Sequence, residues 1–599
     1  MPGRAGSGQS GSNAEVPYPF GVRDLKRERL ALAERMGEAG ARGVDTRHAV
    51  GDLVFERLAE HWESAGGPAD GAALGALGSI ARRDAGPASD LDLILIHDSS
   101  LGKDALAALA QRLWYPIWDS GLSLDHSVRS VTECRQVASK DLPAAAGLLD
   151  LRHVAGDAAL VQQARSAILA DWRAASRQRL PDLLDGSRAR AERFGELAYL
   201  IEPNIKEARG GLRDYVSLTA LAATWLADRP HGDVDDAAEF LLDVRDALQV
   251  ETGRAQVILG RHVAAKVAKR VGKRSPDDLL ASLADAGRRI AYALDVTERN
   301  ARRFLERSGH GSRAYLARRR SMAPRHVSVA PGLIDVDGDL ALAADALPGS
   351  DPLLPLRVGA VAATTGLRPT PGLLDAVRSA PDLPVPWPPE ALAYFLEMLR
   401  GSANLVGVWE ALDLSGCVVR WLPEWEAVRN RPQRSPVHVF TVDRHSVEAV
   451  VRAGRLKRAT PDPDLLLLSA LFHDIGKRGG TADHSTVGVG LVPAIAARMG
   501  LAKNATRDLT TLVQHHLLLA ELATNKNPDA PETAAVLLDA LDHRRDLLVT
   551  LRALTEADAS AAGPKAWGPW REALVDALMR TTTAQLDAWE LAHPGEGSR

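Results

Sequence analysis

Cysteine is nearly missing from this chain: Cys134 and Cys417 are the only two among 599 residues, and no spacing pairs them. That scarcity excludes a disulfide framework or a cysteine-rich zinc knot and fits a reducing compartment. Long apolar runs are missing too, and nothing reaches the roughly 18 residues a membrane-spanning helix needs. Residues 1–13 are rich in Gly and Ser, with one arginine and no apolar centre, which excludes a secretory signal there. No charge sign dominates, and a formal net charge of -4 points neither to a nucleic-acid scaffold nor to a membrane-surface protein. A cytoplasmic protein with no nucleic-acid and no membrane partner is expected.

Aromatic residues make up only 5% of the chain while Ala, Leu and Arg dominate, so strands should be confined to short β-branched or Leu/Ile runs. The expected fold class is therefore mainly α with a small α/β part. Hydrophobic residues at 46% and charged residues at 25% are ordinary globular proportions, and the length suits about three or four domains. The expected organisation is a disordered leader over 1–20, an α/β domain with N-terminal helices over 21–160 and a helical middle domain with linker over 161–430. A third helical unit over 431–580 and a tail over 581–599 complete it. Leu91–Ile96 and Leu122–Val128 read as strands, and Val327–Leu342, with Gly332 and Gly338, as a hairpin. The basic stretches Lys266–Arg274 and Arg318–Arg320 read as solvated helix faces.

The first chemical signal is Gly78-Ser79 followed by Asp90-Leu91-Asp92. Residues i and i+2 of a strand share a face, so Asp90 and Asp92 present two carboxylates together while Leu91 and Leu93 enter the core. Such a pair suits Mg2+, which takes one or two protein carboxylates and leaves its other positions to phosphate oxygens. Asp125, on the neighbouring expected strand, completes the set, with Glu133 and Asp119 as nearby alternatives. Gly78-Ser79 at a helix start would offer backbone N–H groups and a hydroxyl to phosphates, with Arg82 and Arg83 close behind.

The second signal is His473-Asp474 at the end of the apolar run Leu465–Phe472. Burying an unpaired carboxylate costs several kcal/mol, whereas a metal satisfies both side chains at once. Further ligands must come from elsewhere, and His445, His484, the His515-His516 pair and Asp558 are the candidates. Adjacent helix positions point about 100° apart, so one of the pair faces the metal; His515 is taken here, although the sequence does not separate it from His516. Mixed imidazole and carboxylate ligation suits a divalent ion that acidifies a bound water for hydrolysis.

With these residues placed, the sequence from about 50 to 580 resembles the bifunctional PII uridylyltransferase/uridylyl-removing enzymes of bacterial nitrogen control. The resemblance extends through Glu202-Pro203-Asn204-Ile205-Lys206-Glu207, Gly210-Gly211-Leu212-Arg213-Asp214, Thr441-Val442-Asp443-Arg444-His445, Phe472-His473-Asp474-Ile475-Gly476-Lys477 and Ala557-Asp558. It implies a nucleotidyltransferase-fold domain, a helical middle domain and an all-α HD-type phosphohydrolase domain. It also implies transfer of UMP from UTP to a tyrosine of the PII signalling protein, with release of pyrophosphate, and hydrolytic removal of that UMP. Asp90 and Asp92 would hold Mg2+ for transfer; His445, His473, Asp474 and Asp558 would hold Mg2+ or Mn2+ for removal. Neither motif reads the base, so a PII adenylyltransferase/deadenylylase is the alternative, as is a PII-binding regulator with one working site. Relatives continue into two glutamine-binding ACT domains that have no counterpart in this sequence, and the expectation is an enzyme without that sensor.

Overall fold

Four short segments form the first sheet: β1 (Ala72–Ala76), β2 (Leu91–His97), β3 (Leu124–Ser130) and β4 (Arg152–Gly156), in the order β3-β2-β1-β4. In this computed structural model β1 runs antiparallel to β2 and β4, while β2 and β3 are parallel. The structure describes residues 22, 24–309, 327–435, 437–479, 483–563 and 565–593. The expected leader over 1–20, the basic Arg318–Arg320 and the tail residues 594–599 lie outside the described residues.

Strand β2 is buried on both faces, and its period of two sorts the side chains between two cores. Leu91, Leu93 and Leu95 join Val54, Leu58 and Leu113 from the helices Gly43–Ser64 and Lys103–Asp119. Ile94 and Ile96 join Leu148, Ile168 and Trp172 on the other side. Asp92 shares the face of Ile94 and Ile96 but stands at the strand's entry, where the second core stops.

Two compact units result. The first comprises the described residues up to Phe194 together with Asn204–Lys273 and Ala293–Leu305. The second comprises Gly195–Pro203, Arg274–Tyr292 and the described residues from Glu306 onward. Residues of the stretch 161–430 occur in both units, and within the first unit one attachment is made by an ion-paired, buried arginine. Arg47, in Gly43–Ser64, is buried and ion-pairs with Asp243 at 2.6 Å and Asp246 at 3.0 Å on the helix Asp233–Thr252. Both carboxylates are only partly buried, but they satisfy a buried guanidinium and so tie this helix to the helix Gly43–Ser64 within the first unit.

In the second unit the expected hairpin is a larger sheet: β5 (Val327–Ala330), β6 (Leu333–Val336) and β7 (Asp339–Leu342) form a meander, and β8 (Arg368–Pro369) adds parallel to β7. Helices follow. Pro463–Phe472 begins where Asp462 accepts hydrogen bonds from the Asp464 and Leu465 amides, with Pro463 in the first turn, and its residues 465–472 are all buried. No helix among the described residues is long and apolar enough to cross a membrane.

Candidate active sites

In the first unit Gly78, Ser79, Arg82, Asp90, Asp92 and Asp125 all line one cavity of about 540 Å³. That volume is in the range of small-ligand sites, about 300–1,000 Å³. The parallel register puts Asp92 directly beside Asp125. Burial, then the charges of Asp125 and Asp90, push the Asp92 carboxyl up, and Lys206 and Arg82 oppose that rise. Three carboxylates facing one cavity with this mutual repulsion are an oxygen donor set suited to Mg2+. The alternatives for the third carboxylate have other work: Glu133 closes a capping box with Ser130 at the start of Val131–Lys140, and Asp119 ends Lys103–Asp119 away from the cavity wall.

Gly78 opens the short helix Gly78–Arg82 at φ +52°, and a Cβ there would stand 3.0 Å from Asp92 Oδ2. Any other residue would meet both a left-handed backbone and the Asp92 carboxylate. Arg82 lines the cavity, but its guanidinium is committed: Nε donates to Asp84 at 2.8 Å and Nη1 to Asp150 at 2.5 Å. These ion pairs fix the guanidinium in the cavity wall.

Lys206 is the cation that the residue-type reading passed over. Asn204 Oδ1 accepts from the amides of Lys206 and Glu207, and the Leu212 and Arg213 amides donate back to the Ile205 and Lys206 carbonyls. A Cβ on Gly211 would stand 2.7 Å from the Ile205 carbonyl and 2.8 Å from that of Ala208, so this tight loop requires glycine. Asp214, buried, ties it down by accepting from Ser187, Arg190 and the Gly210 amide. The folded motif from Asn204 to Asp214 thus presents Lys206 and Arg213 to the cavity. The unusual density of Asn and Gly around Lys206 was the available signal.

The loop before Asp90 is held from beneath. Arg29, fully buried, donates to the carbonyls of Gly86 at 2.6 Å and Ser89 at 3.0 Å, and Gln249 Oε1 accepts from the Ala88 amide at 2.9 Å.

In the second unit His445, His473, Asp474, His484 and Asp558 converge, and His516 joins them. His445 Nε2 lies 2.8 Å from Asp558 Oδ1 and 3.3 Å from His473 Nε2. His473 Nε2 is 3.3 Å from Asp474 Oδ2 and 3.4 Å from Asp558 Oδ1. His473 and His516 each donate Nδ1–H to a backbone carbonyl, of Ala470 and Val513, at 2.9 and 2.8 Å. That bond leaves the Nε2 lone pair directed into the cluster, the arrangement metal-binding imidazoles use. His515, the expected ligand, is only half-buried and senses Asp542 instead; it is corrected to His516, the helix cap, which turns inward through its bond to Val513.

Burial drives the His516 imidazole down to about 4 and lowers His484 as well, so both are neutral at pH 7. His473 behaves oppositely. Burial would lower it, but the Asp474 and Asp558 carboxylates outweigh that and hold it up at about 10. The carboxylates of Asp474, buried, and Asp558, partly buried, together draw a proton onto His473 even with Lys477 beside Asp474, and a divalent cation would answer the same charge. Asp474 Oδ1, His484 Nε2 and His516 Nε2 are buried without a hydrogen-bond partner among the described residues, so the donor set fits a metal.

Sequence comparison agrees with the geometry. The model of the GlnD PII-uridylyltransferase family matches residues 178–294, and that of the HD domain matches residues 442–562. A bifunctional uridylyltransferase/uridylyl-removing enzyme of Streptomyces coelicolor is 45% identical, over 92% of this chain and 66% of that protein. Counterparts bearing the same description in Mycobacterium tuberculosis and Corynebacterium glutamicum are 42% and 37% identical, covering 86% and 83% of this chain and 63% and 70% of theirs. The chain thus spans about two thirds of the length of these relatives.

Proposed function

The chain belongs to the family of bifunctional uridylyltransferase/uridylyl-removing enzymes, and from that premise we propose that it writes and erases a uridylyl group on a tyrosine of a PII-type signalling protein in the cytoplasm. The observation that carries this reading is the presence, in one chain, of a carboxylate-lined cavity and a buried His/Asp cluster.

In transfer, the tyrosine oxygen bonds to the α-phosphorus of UTP, the bond from that phosphorus to the bridging oxygen breaks, and pyrophosphate leaves with its electron pair. Asp90, Asp92 and Asp125 would hold Mg2+, which supplies charge neutralisation at the triphosphate. Asp125, exposed at the cavity and in register with Asp92, takes the phenolic proton. Lys206 faces the phosphates from the opposite loop, while Gly78 and Ser79 allow them to approach the backbone. Positioning and fixed charge carry this reaction.

In removal, water adds across the phosphodiester: its oxygen bonds to phosphorus, the bond to the tyrosine oxygen breaks, and tyrosine and UMP are released. His445, His473, Asp474 and Asp558 would hold Mg2+ or Mn2+, which supplies an acidified water. Ala470 orients His473, and the Lys477 ammonium, 2.6 Å from Asp474 Oδ2, keeps that carboxylate ionised together with His473.

The uridylyl wording shared by the family model and the relatives favours UTP over the adenylyl alternative. Incubation with a PII-type protein and labelled UTP or ATP, read by intact mass, tests this: a UMP adduct with UTP alone is expected. An AMP adduct, or none, would overturn it.

A further inference from the structure

Strand β3 carries Asp125 and ends the first sheet, so one of its edges is open. Which backbone groups face outward follows from two bonds: the Leu91 amide donates to the Ser123 carbonyl, and the Leu77 amide to the Asp92 carbonyl. The backbone of Leu91 therefore serves β3, and that of Asp92 serves β1. Continuing this alternation, Asp125, Ser127 and Arg129 turn their N–H and C=O groups toward β2, while Leu124, His126 and Val128 turn theirs away from the sheet. Among the described residues no backbone group pairs with these outward three.

The two faces of this edge differ. Asp125, Ser127 and Arg129 line the cavity. On the other face the His126 ring lies 5.1 Å from the Trp114 ring and 5.0 Å from that of Trp118, and Tyr115 stands edge-on to Trp118 at 5.5 Å. Trp114 is buried, but Trp118 is 43% and Tyr115 53% exposed.

We propose that the extended segment of the acceptor protein that carries the target tyrosine docks here as a fifth strand, pairing with the free edge of β3 and resting on Tyr115 and Trp118. The inference rests on the transferase reading of the cavity and states how that site takes its protein substrate.

Continuity with the cavity selects this occupant. The side chains of an added strand, about 4.8 Å away, alternate between the same two faces as those of β3. The residue opposite Asp125 therefore points into the cavity, beside the carboxylate that takes the phenolic proton, and its two sequence neighbours point to the aromatic face. A tyrosine in that place meets the group its hydroxyl needs, while apolar side chains on either side of it cover the two exposed rings. In strand addition, main-chain hydrogen bonds give affinity and alternate side-chain contacts give selectivity. Open edges invite unwanted pairing and are commonly blunted by proline or lysine, yet neither interrupts Leu124–Val128.

The test uses the full chain with UTP and a PII-type protein as acceptor. Hydrogen exchange over residues 123–130 is read by mass spectrometry with a UTP analogue that cannot release pyrophosphate, and adding the acceptor should slow it. In transfer assays two variants are compared with the parent: Tyr115→Ala/Trp118→Ala, and Val128→Pro, which removes an outward N–H but no bond to β2. Each should raise the KM for the acceptor about tenfold or more, while the KM for UTP and the removal of UMP stay unchanged. If Val128→Pro does not fold, the exchange measurement decides the strand pairing by itself. Unchanged exchange over 123–130, an unmoved acceptor KM in the folded aromatic variant, or a parallel rise in both KM values would overturn the inference. A parent that adds no UMP to the acceptor would instead overturn the transferase reading, and this inference with it.

Discussion

Gly476 approaches His484 so closely that an added Cβ would sit 2.0 Å from the His484 carbonyl oxygen and 2.5 Å from the Gly488 amide nitrogen. Both neighbours are backbone and cannot swing aside. Gly476→Ala should therefore separate the turn from the helix His484–Met499, at a cost of about 1–3 kcal/mol. Removal of UMP is expected to fall at least about tenfold while transfer persists; thermal unfolding and the two activities, measured side by side, check this.

Lys206 is expected to bind the triphosphate rather than to hold the fold, since its backbone amide is already satisfied by Asn204. Lys206→Ala should raise the KM for the nucleotide about tenfold, equivalent to about 1.4 kcal/mol, and Lys206→Arg should recover part of it. An unchanged KM in steady-state transfer assays would remove Lys206 from the site.

Arg29 is a positioning residue, buried beneath the loop that ends at Asp90. Arg29→Met leaves the carbonyls of Gly86 and Ser89 without this donor. It should lower kcat for transfer more than it raises the KM for nucleotide, and leave removal unchanged. Equal effects on both activities would mark it as merely structural.

The proton on His473 gives a pH signature. Its folded value is raised from 6.5 to about 10, because the Asp474 and Asp558 carboxylates outweigh burial. A group raised on folding stabilises fully below its unfolded value and loses that contribution as pH climbs through the folded one. The chelator-treated chain should therefore lose stability between about pH 6.5 and 10. His473→Gln should flatten that slope, and Mn2+ should suppress it, since the cation displaces the proton. Denaturant titrations across this range are the measurement.

Much of the chemistry was legible because it lies in short local patterns. Asp92 announces itself by strand periodicity, Asp90 by its place just before that strand, and His473-Asp474 by its place at the end of a buried helix. What was not legible depends on partners far along the chain. Ala72–Ala76 is a strand only because it pairs with β2 and β4; its small residues carry no strand preference. That Asp150 braces Arg82 was not legible, because this partner stands 68 positions away. His515 and His516 differ only in how the helix Lys503–His515 is rotated, which packing decides. The attachment of Asp233–Thr252 to the N-terminal helix Gly43–Ser64 rests on ion pairs such as Arg47 with Asp243, also invisible locally.

The central claim is that one chain runs two opposed reactions at separate sites, and crossed double variants assayed by the intact mass of a PII-type protein test it most directly. With UTP and Mg2+, Asp90→Asn/Asp92→Asn should add no UMP, with transfer falling at least about a hundredfold, yet strip it from protein already modified. His473→Ala/Asp474→Ala should add UMP and be unable to remove it. Loss of both activities in either folded variant would contradict the account.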